Sequence, residues 1–430
     1  MAAKPNVIVF FTDQQRWDSV GLHGNPMQVT PNFDRLAQAG MFVPHSFTCQ
    51  PVCGPARSAM QTGKYPTTTG CFSNSIPLPR DEKTLAHHFR AAGYHTGYIG
   101  KWHLGSADPV RLEERGGYQS WLASNILEFT SFAYDTVVYD EADEAVKLPG
   151  YRVDALTDAA IRYIATPRDE PSFLYLSFLE PHHQNQSDTY PAPVGYAEAL
   201  EPRLEFPEDL ATLVGNSQPH YAGYMGMIKR LDEALGRLVD ALISLDALDN
   251  TIILFTSDHG CHFRTRNREY KRSCHEASIR VPTFFYGPVF EGRGAFDGLA
   301  SLIDLPPTLL DAAGIPVPEA MQGVSLLASP EDYFDSVFIQ ISEDHMGRAL
   351  RTRRWKYEVG APEADATAAM NSPCYVETHL YDLETDPHEL TNLVTDPHYR
   401  PVLDELRESL IARLIGAGEP RPEIRGAHAP

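Results

Sequence analysis

Polar side chains follow four short apolar segments of the chain, at the point where each segment ends. Each segment is predicted to be a buried strand, because short apolar runs alternating with helical patterns are typical of a sheet covered by helices. Ligands of open α/β sheets bind outside the carboxyl ends of the strands, so we expect the four polar groups to converge and to supply metal ligands, cations and proton donors. The groups are Asp13 and Gln14 after residues 7–11, Lys101 and His103 after 94–99, His182 and His183 after 173–178, and Asp258 and His259 after 251–255.

Cys53 lies between the first two of these strand ends, in a segment that begins like a helix. Pro55 suits the first turn of a helix, which places Cys53 near the helix N-terminus. Backbone N–H groups and the helix dipole favour an anion or a thiolate at that point. Arg57, one turn further on, is placed to pair with a bound oxyanion. A buried cysteine before an ordinary helix explains this segment equally well, so the segment alone leaves a catalytic role open.

The rest of the pattern predicts a large α/β domain followed by a smaller one. A long helix is predicted over residues 221–245, because apolar residues recur there every three or four positions. The sequence pattern changes after about residue 330, where a basic segment is followed by a long polar stretch and a last predicted helix near 401–415. We therefore predict a catalytic α/β domain over residues 1–332. The C-terminal subdomain, with antiparallel strands and a terminal helix, is predicted over 333–430.

The composition argues against several classes of partner and location. Among 430 residues, 57 acidic against 36 basic side chains give a formal net charge of -21, which disfavours nucleic acid or an anionic membrane as partner. No apolar stretch approaches the ~20 residues of a membrane-spanning helix. Six cysteines in so long a chain do not form a disulfide framework. The N-terminus runs into the first predicted strand without a signal-peptide pattern, so we expect a cytoplasmic protein.

The segment around Cys53 resembles the signature of the type I sulfatases, the formylglycine-dependent family of the alkaline phosphatase superfamily. The family pattern is Cys-x-Pro-x-Arg followed by Thr-Gly-x-x-Pro, and this chain has it at residues 53–57 and 62–66, with Ala56 in place of the commoner Ser. The resemblance implies an alkaline-phosphatase-like sandwich, with a large, mostly parallel central β-sheet covered by helices and a smaller C-terminal α+β subdomain. Further matches in the family's order lie at residues 30–37, 93–105, 256–260, 279–282, 303–310 and 381–390.

The resemblance also implies that a maturation enzyme oxidises Cys53 to Cα-formylglycine and that one divalent cation lies beside it. The implied ligands are Asp13, Gln14, Asp258, His259 and an oxygen of the modified Cys53. Hard oxygen ligands suit Ca²⁺, which we expect first, or Mg²⁺. Many sulfatases have Asp and Asn where this chain has Gln14 and His259, and this exchange moves the preference toward Mn²⁺ or another transition metal.

The family mechanism begins with hydrated formylglycine, one hydroxyl of which attacks the sulfur of a sulfate ester. By resemblance, Arg57, Lys101 and Lys271 neutralise charge on the sulfuryl oxygens. His182 and Lys271 match positions that contact the substrate oxygen or assist the leaving group. His103 matches the base that lets the sulfated diol collapse to the aldehyde and expel sulfate.

Four further side chains are candidates for contacting the rest of the substrate. Asn74 lies downstream of the nucleophile and has an amide suited to a sulfate or phosphonyl oxygen, although a turn role fits it equally well. His183 adjoins His182 after the third predicted strand. A loop of the C-terminal part adds His345 and Arg348.

Three functions are compatible with these residues. The first is a sulfatase acting on a small anionic sulfate ester, and because many relatives act on sulfated sugars we expect a sulfated saccharide. A phosphonate monoester hydrolase or phosphodiesterase of the same superfamily also uses formylglycine, but Lys101 and His103 resemble the sulfatase pair rather than the neutral hydroxyl residues expected there. An inactive binding protein of the same fold would have lost a metal ligand or the nucleophile, and every expected position is filled here.

Overall fold

The computed structural model describes residues 4–329, 333 and 335–427 of the chain. In this part, ten strands form a central sheet, five form a C-terminal sheet, and two more pair separately. In chain order the strands are β1 (Asn6–Thr12), β2 (Met41–Phe42), β3 (Ser46–Phe47), β4 (His95–Lys101), β5 (Ser120–Ser124), β6 (Thr136–Tyr139), β7 (Ala145–Leu148), β8 (Ser172–Ser177), β9 (Thr251–Ser257), β10 (Phe284–Tyr286), β11 (Gly294–Ala295), β12 (Ala300–Ser301), β13 (Ser336–Ile341), β14 (Gly347–Thr352), β15 (Trp355–Gly360), β16 (Cys374–Asp382) and β17 (Glu423–Arg425).

The central sheet has the order β11-β2-β10-β9-β1-β8-β4-β5-β6-β7. Its five middle strands, from β9 to β5, are parallel, so their carboxyl ends lie at the same edge. Antiparallel pairings occur on both sides of this block, where β10 joins β9 and where β6 and β7 follow β5. The predicted α/β architecture is confirmed. The four strands that precede the polar groups, β1, β4, β8 and β9, all belong to the parallel block.

Helices cover both faces of this sheet. The described residues form these α-helices: α1 (Pro31–Ala39), α2 (Cys53–Thr62), α3 (Pro66–Thr69), α4 (Leu85–Ala91), α5 (Leu127–Thr130), α6 (Arg152–Ala165), α7 (Tyr196–Leu200), α8 (Glu208–Thr212), α9 (Tyr221–Ser244), α10 (Glu276–Ile279), α11 (Leu305–Ala312) and α12 (Arg400–Gly416). None of them combines the length and the apolar character needed to cross a membrane.

Alternate residues of the middle strands pack on opposite faces, as the two-residue period of a strand dictates. In β1, Val9 and Phe11 belong to one apolar cluster, while Ile8 and Phe10 belong to the other. Helices α2, α4 and α11 complete the first cluster, and α1, α6 and α9 complete the second. Burying one side chain such as Phe10 contributes about 1.5–3 kcal/mol. These two cores fix the strands from both sides and hold their carboxyl ends in register.

Helix α9 lies close to the predicted long helix. It spans Tyr221–Ser244, and Leu231, Leu235 and Leu238 on its predicted apolar face are buried against the sheet. Leu245, predicted on the same face, is 43% exposed because it follows the last helical residue.

The C-terminal sheet contains strands β13 to β17. The first four are antiparallel and β17 runs parallel to β16. Helix α12, close to the predicted 401–415, packs its leucines Leu403, Leu406 and Leu410 into the core of this sheet. The predicted domain boundary lies between residues 332 and 333. Residues 330–332 are outside the described part of the chain, and β13 begins at Ser336.

Candidate active site

The polar groups at the ends of the parallel strands converge on one buried site. Asp13 directly follows β1 and Asp258 directly follows β9, and the backbone N–H of Asp258 donates to the Thr12 carbonyl at 3.2 Å. Lys101 was predicted to follow a strand over 94–99, but β4 extends further and Lys101 is its last residue. Because neighbouring parallel strands end at the same edge, side chains far apart in the sequence come into direct contact there.

Cys53 is the first residue of α2 and lies at the centre of this site. Its side chain is buried, and Val52 before it has an extended backbone. The Lys271 ammonium donates to Cys53 Sγ at 2.8 Å, and His259 Nε2 lies 3.2 Å from the same sulfur. Asp13 Oδ1 lies 3.6 Å from it. The predicted position at a helix N-terminus is confirmed, and the sulfur is surrounded by cationic and ligand-type groups.

Four residues bring their ligand atoms close enough together to hold one metal ion. One ligand atom each from Asp13, Cys53, Asp258 and His259 lies within 4.8 Å of the others, and all four residues are buried. His259 Nδ1 lies 2.9 Å from the Gly260 carbonyl, so this nitrogen carries the proton and Nε2 has its lone pair facing the cluster. Backbone fixation of one ring nitrogen is the usual arrangement of a histidine that binds a metal through the other.

The Gln14 side chain fits the same ion although it is an amide. Its Nε2 donates to the Tyr190 hydroxyl at 3.1 Å and lies 3.5 Å from His183 Nδ1, which orients the amide. Its Oε1 is buried and has no hydrogen-bond partner among the described residues, and neither has Asp258 Oδ2. Asp258 Oδ2 has an ion-pair contact with Arg57 Nη2 at 3.4 Å. Buried oxygens without hydrogen bonds are costly unless an ion or water satisfies them. The donor set therefore fits a divalent cation.

Arg57 and Lys101 both contact Asp13 in this arrangement. Arg57 Nη2 donates to Asp13 Oδ2 at 2.9 Å, and Lys101 Nζ donates to the same oxygen at 2.8 Å and to Glu128 Oε1 at 2.9 Å. The resemblance implied that both cations neutralise the sulfuryl oxygens. Here both cations pair with carboxylates and help to hold Asp13 in place, and their contact with the sulfuryl oxygens stays a prediction. Among the described residues, no carboxylate forms an ion pair with Lys271, which faces Cys53.

The two carboxylates of the cluster are affected in opposite directions by their neighbours. Burial and the Cys53 sulfur oppose ionisation of Asp13, but Lys101 and other adjacent cations hold its pKa below the ordinary value. Burial, together with the negative charge of Asp13, raises the pKa of Asp258 to about 7. Like charges held this close raise the cost of ionising both, and a bound cation would relieve that cost.

The environment of Cys53 favours its ionised form. Burial alone would raise the pKa of the Cys53 thiol, but the positive charges of Lys101 and Lys271 hold it well below the usual range. The same groups would stabilise negative charge on any oxygen attached at this position. The site is therefore built to carry an anionic nucleophile.

His182 lies beside Lys271, the residue whose ammonium donates to the Cys53 sulfur. Its Nδ1 is 2.7 Å from the His183 carbonyl, so Nε2 faces Lys271 Nζ at 3.3 Å. Burial and the nearby Lys271 charge lower the pKa of His182. The His103 side chain is almost fully buried, and its Nδ1 has no partner among the described residues. His103 has a φ of +58°, a left-handed conformation that a side chain adopts only when its surroundings impose it.

The candidates for substrate contact divide into two groups. Asn74 adjoins the nucleophile, since its Oδ1 accepts the Gly54 N–H at 2.8 Å, and His183 lies next to the Gln14 amide. The structure does not bring Arg348 into the cluster, because its buried guanidinium binds Glu419 at 2.9 Å within the C-terminal part. His345 is bonded to Asp344 and Glu358, and its contact with substrate stays a prediction.

Two functional positions were missed by sequence reasoning. Glu128 forms an ion pair with Lys101. It could have been found by the same rule as the other groups, because it is a polar residue that follows β5, a fifth strand of the parallel block. Tyr190 orients Gln14 from a loop that carries no regular pattern, so no sequence signal pointed to it.

Comparison with known proteins gives a consistent result over most of the chain. The family model described as "Sulfatase" matches residues 5–315. The "Ulvan-active sulfatase" of Formosa agariphila is 29% identical over 439 residues, which cover 97% of this chain and 82% of that protein.

Solved structures share the fold along almost the whole chain. A structure described as being in complex with its substrate, D-glucosamine-2-N,6-O-disulfate, has a TM-score of 0.83 and 22% identity and covers 96% of this chain and 98% of its own. The phosphonate monoester hydrolase of Agrobacterium radiobacter has a TM-score of 0.70 and 23% identity and covers 96% of each chain. Identities this low concern the fold alone, and the fold is common to both activities. The family match decides between them: the chain belongs to the sulfatase family, whose enzymes hydrolyse sulfate esters.

Proposed function

We propose that this sulfatase hydrolyses a sulfate monoester of a saccharide, using Cys53 converted to Cα-formylglycine and one divalent cation. The observation that carries the proposal is the surroundings of Cys53, where Lys271 Nζ, His259 Nε2 and Asp13 Oδ1 lie within 3.6 Å of the sulfur. Conversion by a formylglycine-generating enzyme would supply an aldehyde whose hydrate is the nucleophile. The bound cation would supply Lewis-acid activation and charge neutralisation.

Asp13, Gln14, Asp258 and His259 would hold the cation, and other residues of the chain would do the rest. Lys271 is free of carboxylate partners among the described residues, so its ammonium is available to a sulfuryl oxygen or to the oxygen of the departing alcohol. His182 lies 3.3 Å from Lys271 and is placed to share that contact.

His103 is the proposed base of the second half-reaction. His103 lies close enough to Cys53 to favour the ionised thiol, so its imidazole is within reach of a hydroxyl on the modified residue. When the free hydroxyl of the sulfated diol loses its proton, its C–O bond becomes the C=O bond of the aldehyde, and the bond from carbon to the sulfated oxygen breaks to release sulfate. A serine in place of Cys53 lacks the second hydroxyl and cannot complete this step.

The proposed substrate class rests on two kinds of support. The site is deeply buried and surrounded by cations, which suits a single compact anion despite the net charge of -21. One structural neighbour is described with a sulfated glucosamine as substrate, and the same class of alcohol is proposed here.

Two measurements test the proposal. Peptide mass analysis of residues 51–63 should show the aldehyde in place of the Cys53 thiol in protein from the native host. Converted protein should then release sulfate from members of a panel of sulfated mono- and disaccharides. An unmodified thiol in fully active protein would refute the nucleophile, and activity on aryl sulfates without activity on any sulfated sugar would refute the substrate class.

Ca²⁺ is the proposed cation, with Mn²⁺ and Mg²⁺ as alternatives. Two carboxylates and an amide are oxygen ligands suited to Ca²⁺, while the imidazole of His259 favours a transition metal. Protein stripped with a chelator should regain activity best with Ca²⁺. Recovery with Mn²⁺ at lower concentrations would assign the site to Mn²⁺ instead.

A further inference from the structure

Glu343, in the loop between β13 and β14, links two segments that carry groups around Cys53. We infer that Glu343 is a positioning residue whose carboxylate holds the segment that carries Lys271 and the segment that carries Asn74 in place around the nucleophile. The inference rests on the proposed function, because it assigns Lys271 to the leaving-group side of the reaction. Glu343 belongs to the part of the chain that otherwise forms the C-terminal sheet.

Both oxygens of the Glu343 carboxylate are used in this link. Oε2 accepts two hydrogen bonds from Arg272, from Nε at 2.9 Å and from Nη2 at 2.6 Å. Oε1 accepts from the backbone N–H of Asn74 at 2.6 Å and from Ser73 Oγ at 3.1 Å. Charge-assisted hydrogen bonds between a guanidinium and a carboxylate are short and about twice as strong as neutral ones.

Each end of the link continues to Cys53 in one further step. Arg272 directly follows Lys271, whose ammonium donates to Cys53 Sγ at 2.8 Å. On the other side, the Asn74 side chain accepts the N–H of Gly54, the residue after Cys53, at 2.8 Å. A shift of the Glu343 carboxylate would therefore change the position of both Lys271 and the first turn of α2.

The backbone on both sides of the ion pair is in an unfavourable conformation. Arg272 has a φ of +67° and Glu343 has a φ of +71°, values that favour glycine. Non-glycine residues keep such conformations only where surrounding contacts impose them, at a cost of about 1–3 kcal/mol each. The Glu343 N–H is also tied to the Ala366 carbonyl at 3.0 Å, which anchors the loop to the C-terminal part.

Arg272 offers a matched control because it has a second carboxylate partner. Glu269 Oε2 accepts from Arg272 Nη1 at 2.9 Å, but Glu269 is exposed and has no contact with Asn74 or Ser73. Glu269→Gln therefore removes one ion pair of Arg272 and leaves the link intact. In Glu343→Gln the side chain keeps nearly the shape of glutamate. Its amide oxygen can accept hydrogen bonds from one of the two segments only, and its amide nitrogen must present a donor to the other segment.

The kinetic test compares leaving groups. Because Lys271 assists the departing oxygen, Glu343→Gln should lower kcat by about 10- to 100-fold on a sulfated sugar, a poor leaving group. The loss should be several-fold smaller on nitrophenyl sulfate, whose leaving group needs little assistance. Glu343→Asp, which keeps the charge, should recover part of the loss, and Glu269→Gln should behave like the wild type on both substrates. Equal losses on both substrates, or no loss of kcat, would overturn the inference.

A binding measurement separates this inference from the proposed function. Calorimetric titration with inorganic sulfate, in the presence of Ca²⁺, should give a Kd about tenfold weaker for Glu343→Gln than for the wild type and for Glu269→Gln. If the wild type turns over no sulfate ester, the proposed function fails, and the sulfate affinities still decide the role of Glu343. Equal affinities in all three proteins would assign Glu343 a structural role only. A thermal melt of each variant verifies that it is folded at the temperature of the assay.

Discussion

Two buried clusters of charge in this chain are built on opposite principles. The active cluster contains Asp13, Gln14, Asp258 and His259, which follow two of the parallel strands, and Cys53 at the start of α2. The seam cluster contains Glu276, Arg351, Lys356 and Glu389, and it joins the catalytic part to the C-terminal sheet. Both are almost fully inaccessible to solvent. They differ in how completely their polar atoms are paired.

Every carboxylate oxygen of the seam cluster has a donor. Lys356 Nζ bonds Glu276 Oε1 at 2.9 Å, Glu389 Oε1 at 2.9 Å and the Cys274 carbonyl at 2.8 Å, which uses its three protons. Arg351 reaches both oxygens of Glu276, and the Glu276 N–H bonds Glu389 Oε2 at 2.7 Å. The active cluster instead leaves Gln14 Oε1 and Asp258 Oδ2 without hydrogen bonds among the described residues. The seam cluster therefore has no carboxylate oxygen left without a hydrogen bond, whereas the active cluster keeps two ligand-type oxygens that a cation would satisfy.

The largest expected effect of a single substitution is on activity, in the active cluster. Asp258→Asn removes a proposed ligand and should lower kcat by about 1,000-fold, the kinetic equivalent of about 4 kcal/mol. Without metal, the Asp258→Asn variant should be no less stable than the metal-free wild type, because the substitution removes the repulsion between Asp258 and Asp13. Steady-state kinetics and thermal melts in chelator measure the two effects. A large loss of stability in the metal-free Asp258→Asn variant would contradict the proposed difference between the two clusters.

The corresponding substitution in the seam cluster should act on stability. Lys356→Met leaves Glu276 and Glu389 buried without their shared cation, and should reduce the free energy of unfolding by about 3–5 kcal/mol. The kcat of the remaining folded protein should change little, since Lys356 has no contact with the active cluster among the described residues. Denaturant unfolding measures the stability. A fall in kcat comparable to that of Asp258→Asn, in protein verified as folded, would show that the two clusters are not independent.

A smaller effect is expected where one hydrogen bond orients a ligand. Tyr190→Phe removes the acceptor that holds the Gln14 amide, and should weaken cation affinity by about tenfold. Tyr163→Phe is the matched control, because its hydroxyl bonds the His95 carbonyl on a part of the sheet away from the ligands. Calorimetric titration of stripped protein with Ca²⁺ gives both affinities. Equal affinities in the two variants would mean that Gln14 needs no orientation by Tyr190.

The smallest effect is a pH dependence outside both clusters. Burial opposes protonation of His345, but its hydrogen bonds to Asp344 and Glu358 outweigh burial and raise its pKa to about 10. Since the folded-state pKa lies above the unfolded value, the stabilisation is complete below about pH 6.5 and is lost as the pH rises through 10. The difference in Tm between wild type and His345→Gln should therefore be largest near pH 6 and disappear above pH 10. A difference that grows with pH would contradict this assignment.

The sequence allowed the fold and the centre of the site to be predicted because both depend on local patterns. Apolar runs define the parallel strands, and a polar residue directly after such a run must lie at the sheet edge, as Asp13 and Asp258 do. Cys53 was placed correctly at the helix start because Pro55 fits only the first turn.

The residues that sequence reasoning missed or misplaced depend on contacts between distant segments. Glu343 and Tyr190 lie in loops. Glu343 is 270 positions from its partner Ser73, and Tyr190 is 176 positions from its partner Gln14. Arg348 was expected at the substrate, but the fold pairs it with Glu419, a residue near the end of the chain. No local pattern encodes such pairings, because they are set by how the C-terminal sheet packs.

The comparison of two substrates tests the central claim most directly. Protein with verified conversion of Cys53 is assayed for kcat/KM on an aryl sulfate and on the corresponding aryl phosphonate monoester under the same conditions. The arrangement of Lys101, His103 and Lys271 around the nucleophile predicts the higher kcat/KM on the sulfate. A higher value on the phosphonate would contradict the assignment and identify the site as that of a phosphonate monoester hydrolase.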